Sequence, residues 1–247
     1  MSFLRKSWAV AKKDIWVYYK QGPVLIFGVL FPVFLFLAFA VGRDIAPGRL
    51  APGLIAMALF FTASATTPTV FPFETRTKTL ERLLAAPMDF KILLAGDVFA
   101  AFLFGLALSA IPVFISLVLL GASLDSAMLL FAAVVSSALC FAVLGALFSV
   151  PPTDNAASIM TLANLVRLPL IFFSGVFLPV QDMPEWSRTI SYISPLTYTT
   201  EAIRTALGQP AWIRPGPSLA MIIVFLVIFW IASLALHGKT LSKRLRA

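Results

Sequence analysis

Four stretches of this chain, residues 24–42, 51–73, 127–150 and 217–237, contain no Asp, Glu, Lys or Arg. That pattern leaves lipid as the solvent in which the chain folds, because a membrane-spanning helix needs about 20 predominantly apolar residues. Two further apolar runs, 95–120 and 157–178, carry one charge each, Asp97 and Arg167. Composition agrees: 60% of residues are apolar and 12% charged, with a mean hydropathy of +0.95, against about 45–50% and about 25% in soluble domains. The expected fold class is all-α integral membrane, with six transmembrane helices in one domain over 1–247. Six spans of about 20 residues occupy roughly half the chain and leave no room for a large soluble domain. Ala38-Phe39-Ala40 looks like a signal-peptidase site, but its polar lead and apolar run are too long for a signal peptide.

Charge orients the bundle. Of 19 Lys and Arg, those near residues 2–20, 74–91 and 238–247 outnumber those near 43–49 and 179–214. By the positive-inside rule this predicts both termini on the cytoplasmic side of the cell membrane. The net charge of +8 therefore reads as topology signals and not as a nucleic-acid surface. One cysteine, Cys140, and one histidine, His237, exclude a disulfide framework and a multi-His metal centre.

Three segments cross nothing. In 2–20, Leu4, Trp8, Ala11, Ile15, Tyr18 and Tyr19 share one helical face, with Arg5, Lys6, Lys12, Lys13 and Lys20 opposite; this predicts an interfacial amphipathic helix. It serves either as a plain anchor or as a lever hinged at Gly22-Pro23. In 76–87, Thr79 is placed to cap a short helix with Leu80, Leu83 and Leu84 on one side, Glu81 and Arg82 elsewhere, and Pro87 at its end. That helix either docks in a groove of a soluble partner or is a solvated connector. In 179–208, Pro184 and Glu185 mark a helix start, Trp186, Ile190 and Ile193 form one stripe, and Leu196, Thr200, Ile203 and Leu207 form a second, closed by Gly208. Both pieces are too short to cross about 30 Å. They predict a re-entrant helical hairpin between spans 5 and 6 on the outer side, or a cap lying on the surface.

Within the spans, Ser158, Thr161, Asn164 and Arg167 form a polar strip on the fifth, and such strips face other helices or a cavity. Arg167 lies near mid-membrane, where such residues point into protein. It contacts an anionic headgroup, stabilises a dimer seam, or pairs structurally with Asp97 or a backbone carbonyl. Asp97 is expected to reach the cytoplasmic interface and not to carry protons. Ser136, Ser137 and Gly145 permit close helix approach.

Phe173-Ser174-Gly175-Val176-Phe177-Leu178-Pro179, Met183-Pro184-Glu185-Trp186, Ser194-Pro195-Leu196-Thr197-Tyr198 and Glu201-Ala202-Ile203-Arg204 together resemble the signature of ABC-2 type permeases, the membrane subunits of exporters for drugs, polysaccharides and lipid-linked glycans. Glu81-Arg82-Leu83-Leu84-Ala85-Ala86-Pro87 is similar to that family's segment after the second span; Lys78 departs from it, standing where the family often has Gly. The resemblance implies that 2–20 is a connecting helix, that 24–178 holds spans 1–5, and that 217–237 is span 6 before a cytoplasmic tail. It implies that 76–87, with Arg76, Lys78, Leu80, Glu81, Arg82, Leu83, Leu84 and Pro87, is a coupling helix docking in a separate ABC ATPase. It makes 179–208 external re-entrant helices, with Ser174, Gly175, Pro179, Pro184, Pro195, Tyr198, Glu201 and Arg204 as their signature residues. Two permease copies, identical or paralogous, would enclose one pathway above two ATPase subunits that bind ATP and Mg.

The residues fit that division of labour. The chain has no G-x-x-x-x-G-K-[ST] phosphate cradle, no G-x-S-x-G and no H-E-x-x-H, so no catalytic residue and no cofactor-binding set is expected in it. An ion-gradient-driven secondary carrier is the first rival, and would need a chain of buried carboxylates. A non-transport scaffold is the second.

Overall fold

The computed structural model describes residues 3–17, 26, 30–40, 47–85 and 89–244. Most of these are helical, with no strand among them. Eleven α-helices follow in order: α1 (Phe3–Val17), α2 (Phe31–Ala40), α3 (Pro47–Ala65), α4 (Thr67–Arg76), α5 (Thr79–Ala85), α6 (Phe90–Phe114, extended by a wider turn over Ile115–Leu119), α7 (Ala127–Phe148), α8 (Ala156–Phe172), α9 (Glu185–Ser191), α10 (Pro195–Ala206) and α11 (Pro215–Arg244). Local chemistry sets several starts. Asp89, Ser126 and Asn155 accept hydrogen bonds from the first-turn amides of α6, α7 and α8, as N-caps do. Pro195 opens α10, where its missing N–H costs nothing.

Four helical stretches are long and apolar enough to cross a membrane: Gly48–Arg76, Phe90–Leu119, Ala127–Phe148 and Pro215–Leu241; Ala156–Phe172 is a shorter apolar helix. The first of these, α3 with α4, is the centre of the molecule. Its apolar window is wholly buried, wrapped by α2, α6, α7 and α10. Glycines set the contact distance: a Cβ on Gly105 would lie 2.6 Å from Ala63 Cβ, one on Gly145 2.8 Å from the Ser64 carbonyl, and one on Gly53 2.2 Å from the Val176 carbonyl. The periphery is greasy, with Phe114, Val118, Met128, Phe131, Leu165, Val227 and Ile231 exposed. For a chain this apolar, that surface faces lipid or protein and not water.

The contacts sort the helix ends into two groups. One gathers Gly48 against Leu120, Ser123 donating to Leu207, and Gln209 donating to Gly48. The other gathers α1, Phe71, Phe90 and His237, whose ring meets the Ala146 carbonyl at 3.0 Å.

Several boundaries differ from those expected. The second apolar helix starts at 47, absorbing the end of the anticipated 43–49 loop, and is broken at Thr66. The third starts at 90 and not 95. The fifth ends at Phe172 and not 178, because the chain turns through Gly175 at φ +79°. The last runs from 215 to 244. Of the expected first span, only Ile26, Leu30 and α2 are described; Gly22-Pro23, Tyr18, Tyr19, Lys20 and Pro87 lie outside the described residues.

Candidate functional site

The corner between α4 and α5 brings the predicted docking residues together. α4 ends at Arg76, Thr77 and Lys78 turn the chain, and α5 starts at Thr79 as its capping residue suggested. Lys78 sits at φ +55°. A β-carbon makes this left-handed conformation cost about 1–2 kcal/mol, which is why glycine suits the position. Lys78→Gly is expected to stabilise this corner by about 1 kcal/mol, seen as slower hydrogen exchange in 76–85; unchanged exchange would count against it. The leucines of α5 face inward. Leu80 is buried with Phe71, Leu93 and Leu94, and Leu83 and Leu84 pack beside it. Arg76, Lys78, Glu81 and Arg82 are exposed. The surface that the corner turns outward is therefore charged. Beside it, Phe73 and Arg76 share a cavity of about 460 Å³ with Asp154 and Asn155, just before α8.

On α8, Arg167 is wholly buried. Its Nη2 donates to the Ser64 carbonyl and its Nη1 to Asn164 Oδ1 at 3.3 Å. The guanidinium lies 5.2 Å from the Phe148 ring centroid and 6.0 Å from that of Phe61. The reason is local. The amide that would cap Ser64's carbonyl in a continuous helix belongs to residue 68, and residue 68 is proline, which has no N–H. The break between α3 and α4 frees a buried carbonyl, and Arg167 satisfies it. Of the two structural partners considered for Arg167, the carbonyl is the one present; Asp97 lies elsewhere. Ser158 and Thr161 are exposed on α8 and Asn164 is half-buried, so the strip divides between the surface and Arg167's contact.

The signature residues after α8 form one connected network. Ser174 donates to the Ile171 carbonyl. Gly175 offers its carbonyl to Arg204 Nη2 at 3.0 Å, and Arg204 Nε lies 3.5 Å from Glu201 Oε1. Glu201's other oxygen accepts from the amides of Trp212 and Ile213. Tyr198 donates to the Tyr192 carbonyl at 2.9 Å, and the Tyr192 hydroxyl accepts from Trp212 Nε1 at 2.7 Å. Pro179 precedes a short 3-10 turn, Val180–Asp182, and Pro184 precedes α9. The first short helix ends at Ser191, and Pro195 starts the second. The stripe Trp186, Ile190 and Ile193 is exposed, whereas Leu196, Thr200, Ile203 and Leu207 are buried. The shorter piece lies on the molecule and the longer packs within it. A cavity of about 520 Å³ opens here, lined by Arg49, Phe177, Gln181, Asp182, Arg204 and Gln209 among others.

One cluster escaped the sequence reading. Asp14 on α1, Glu74 on α4 and Asp97 on α6 are all buried, and Lys13 Nζ bridges Glu74 Oε1 and Asp14 Oδ1, the latter at 3.0 Å. Lys13 therefore points at carboxyl partners within the protein, and Asp97 is buried in protein. Burial disfavours the Lys13 ammonium, but Asp14, Asp97 and Glu74 outweigh it and hold it charged above the ordinary lysine range. The only sequence signal was an acid inside an apolar run.

Helices of membrane-crossing length around a buried central one define a multi-pass membrane protein. The ABC-2 type transporter family model matches residues 5–207, and the chain belongs to that family, whose members are membrane transport subunits and not themselves catalytic. Membership implies association with ABC ATPase partners. The chain is 28% identical over 262 residues to ycf38 of Cyanophora paradoxa, named for a transport-permease role, covering 90% of this chain and 86% of that protein. It is 25% identical over 194 residues to the inner membrane transport permease YadH of Escherichia coli K12, covering 78% and 75%. Nodulation protein J of Sinorhizobium fredii is 33% identical over 82 residues, 33% of this chain and 30% of that one.

Proposed function

We propose that this chain is the transmembrane permease of an ATP-driven ABC exporter, working as a dimer of six-span subunits with both termini cytoplasmic. In this reading α1 is the connecting helix, residues 76–87 are the coupling segment, 179–208 are external re-entrant helices, and ATP and Mg sit on the partner. The observation that carries it is the α4–α5 corner: a short helix held to the bundle by leucines and presenting Glu81 and Arg82 outward. Arg76, Lys78, Glu81 and Arg82 meet the ATPase; Leu80, Leu83 and Leu84 hold the helix that carries them. Ser158 and Thr161, exposed beside Leu162 and Leu165 on α8, suit the pathway or the seam with a second copy, with Asn164 and Arg167 behind them.

The test is co-purification from the native membrane. The unaltered chain is expected to bring down an ABC ATPase in equal amount. Reversing both charges, Glu81→Arg with Arg82→Glu, is expected to reduce that recovery about tenfold or more while membrane insertion is unchanged; full recovery would refute the coupling assignment. The buried carboxyls of Asp14, Glu74 and Asp97 favour a second reading, a carrier driven by an ion gradient. Uphill movement by the chain alone in vesicles bearing only a proton gradient would establish it.

A further inference from the structure

We infer that the cavity of about 520 Å³ beside α10 is a binding site for a zwitterionic amphiphile, a molecule whose head carries a phosphate or carboxylate next to a primary ammonium and whose body is aliphatic. Among the residues lining it, Arg49, Asp182 and Arg204 are charged. Arg204 is buried and already committed within the fold, to the Gly175 carbonyl at 3.0 Å and to Glu201 at 3.5 Å. Arg49 and Asp182 are exposed and take part in none of the ion pairs among the described residues. Asp182's charge reaches Arg204, but the two form no ion pair. The two open charges stand on separate elements, Arg49 in the first turn of α3 and Asp182 at the end of the 3-10 turn Val180–Asp182. Both supports are held in place. Gln209 Nε2 donates to the Gly48 carbonyl at 2.7 Å, and Arg188 Nη2 donates to the Gln181 and Met183 carbonyls on either side of Asp182. Groups fixed beforehand lose little freedom when a ligand arrives. A guanidinium takes an oxyanion through two N–H donors, and a carboxylate accepts from an ammonium. A purely anionic head would gain at Arg49 and be repelled at Asp182, and a purely cationic head the reverse. A head with both charges gains at both. Leu50, Phe177 and Leu178 add an apolar lining, and apolar walls with a few placed polar groups hold a small molecule's body and orient its head. That the cavity opens on the outer side rests on the topology proposed above; the binding does not.

The test is protection of a cysteine in the cavity wall. The full-length chain in a non-ionic detergent, with Cys140→Ala, is given a single cysteine by Leu178→Cys, at a lining position 43% exposed, or, as reference, by Ile193→Cys, at an outward position 71% exposed. Dihexanoylphosphatidylethanolamine is expected to slow maleimide labelling of Leu178→Cys and not of Ile193→Cys. Dihexanoylphosphatidylglycerol, which is anionic, and decylamine, which is cationic, are each expected to need about tenfold higher concentration for the same protection, since each forfeits one charged hydrogen bond. Asp182→Asn is expected to bring the anionic lipid level with the zwitterion, and Arg49→Gln to do so for the amine. Both side chains are exposed, so neither change threatens folding. Equal protection by all three amphiphiles, or an order of preference unmoved in both variants, overturns the proposal. Glycerophosphoethanolamine, the head without its chains, is expected to protect far less; equal protection by it overturns the assignment of the apolar wall. The measurement needs no ATPase, so its failure and the failure of ATP-driven export are distinguishable.

Discussion

Arg167→Ala is expected to insert into the membrane, unfold roughly 10 °C earlier than the unaltered chain, and lose most export. The side chain is wholly buried and donates to a carbonyl that Pro68 leaves without its helical partner. Truncation removes a large buried group and strands that carbonyl, a combined cost of about 3–5 kcal/mol. Arg167→Gln retains an amide donor and is expected to recover part of the loss. Arg167→Lys keeps charge but lacks the planar fork that reaches Asn164 and Ser64 together and lies over Phe148 and Phe61, so it should recover less than charge alone would suggest. Thermal unfolding of the purified protein reads the stability, and efflux from cells reads the function. Unchanged efflux would remove Arg167 from the transport pathway and leave it a purely structural residue.

Glu201→Ala is expected to be comparably severe. Glu201 is buried and joins three segments: Arg204 on its own helix, the amides of Trp212 and Ile213 before α11, and, through Arg204, the Gly175 carbonyl after α8. Removing one member of a buried ion pair leaves the other uncompensated, at about 3–5 kcal/mol. Glu201→Gln also leaves Arg204 without its partner charge but still accepts from both amides, and is expected to lose less than Glu201→Ala. Limited proteolysis around 208–214 provides the readout: rapid cleavage in Glu201→Ala with slow cleavage in Glu201→Gln is the expected pattern. Equal cleavage in the two would show that charge, and not the amide contacts, holds the segment.

Periodicity and turn chemistry made much of this legible. Leu196, Thr200, Ile203 and Leu207 recur at helical spacing and are buried together, and Thr79 starts the helix it was placed to cap. What hydropathy does not reveal is which apolar neighbour a residue meets, since lipid and protein interior look alike to it. Thus on α1, read as an interfacial helix with Trp8 on its apolar face, Trp8 is 51% exposed, and the side packed on protein is that of Ser7 and Val10. Likewise the stripe of Trp186, Ile190 and Ile193 lies outward. The fifth apolar run continues to 178 in sequence, but Gly175 turns the chain; an isolated Ser-Gly in such a run was the available signal. The candidate sites divide in the same way. Arg167 drew notice because a charge in an apolar run is costly, whereas its partner depended on Pro68, 99 positions away. The Lys13, Asp14, Glu74 and Asp97 cluster joins three segments distant in sequence, and no local pattern marks such a meeting.

Gly105 and Gly145 press α6 and α7 against adjacent residues of α3, Ala63 and Ser64, and Gly53, toward the other end of α3, meets the Val176 carbonyl. An axle keyed at two levels can neither spin nor slide by a fraction of a turn without collision, and packed interiors resist such compression. Whatever rearrangement this subunit undergoes must therefore leave α3, α6 and α7 as one solid block. α1 is keyed to α6 in the same way, since a Cβ on Gly96 would lie 2.6 Å from Val10 Cβ, so displacement falls to the outlying α2 and α8, swinging against that block as hinged panels do against a post.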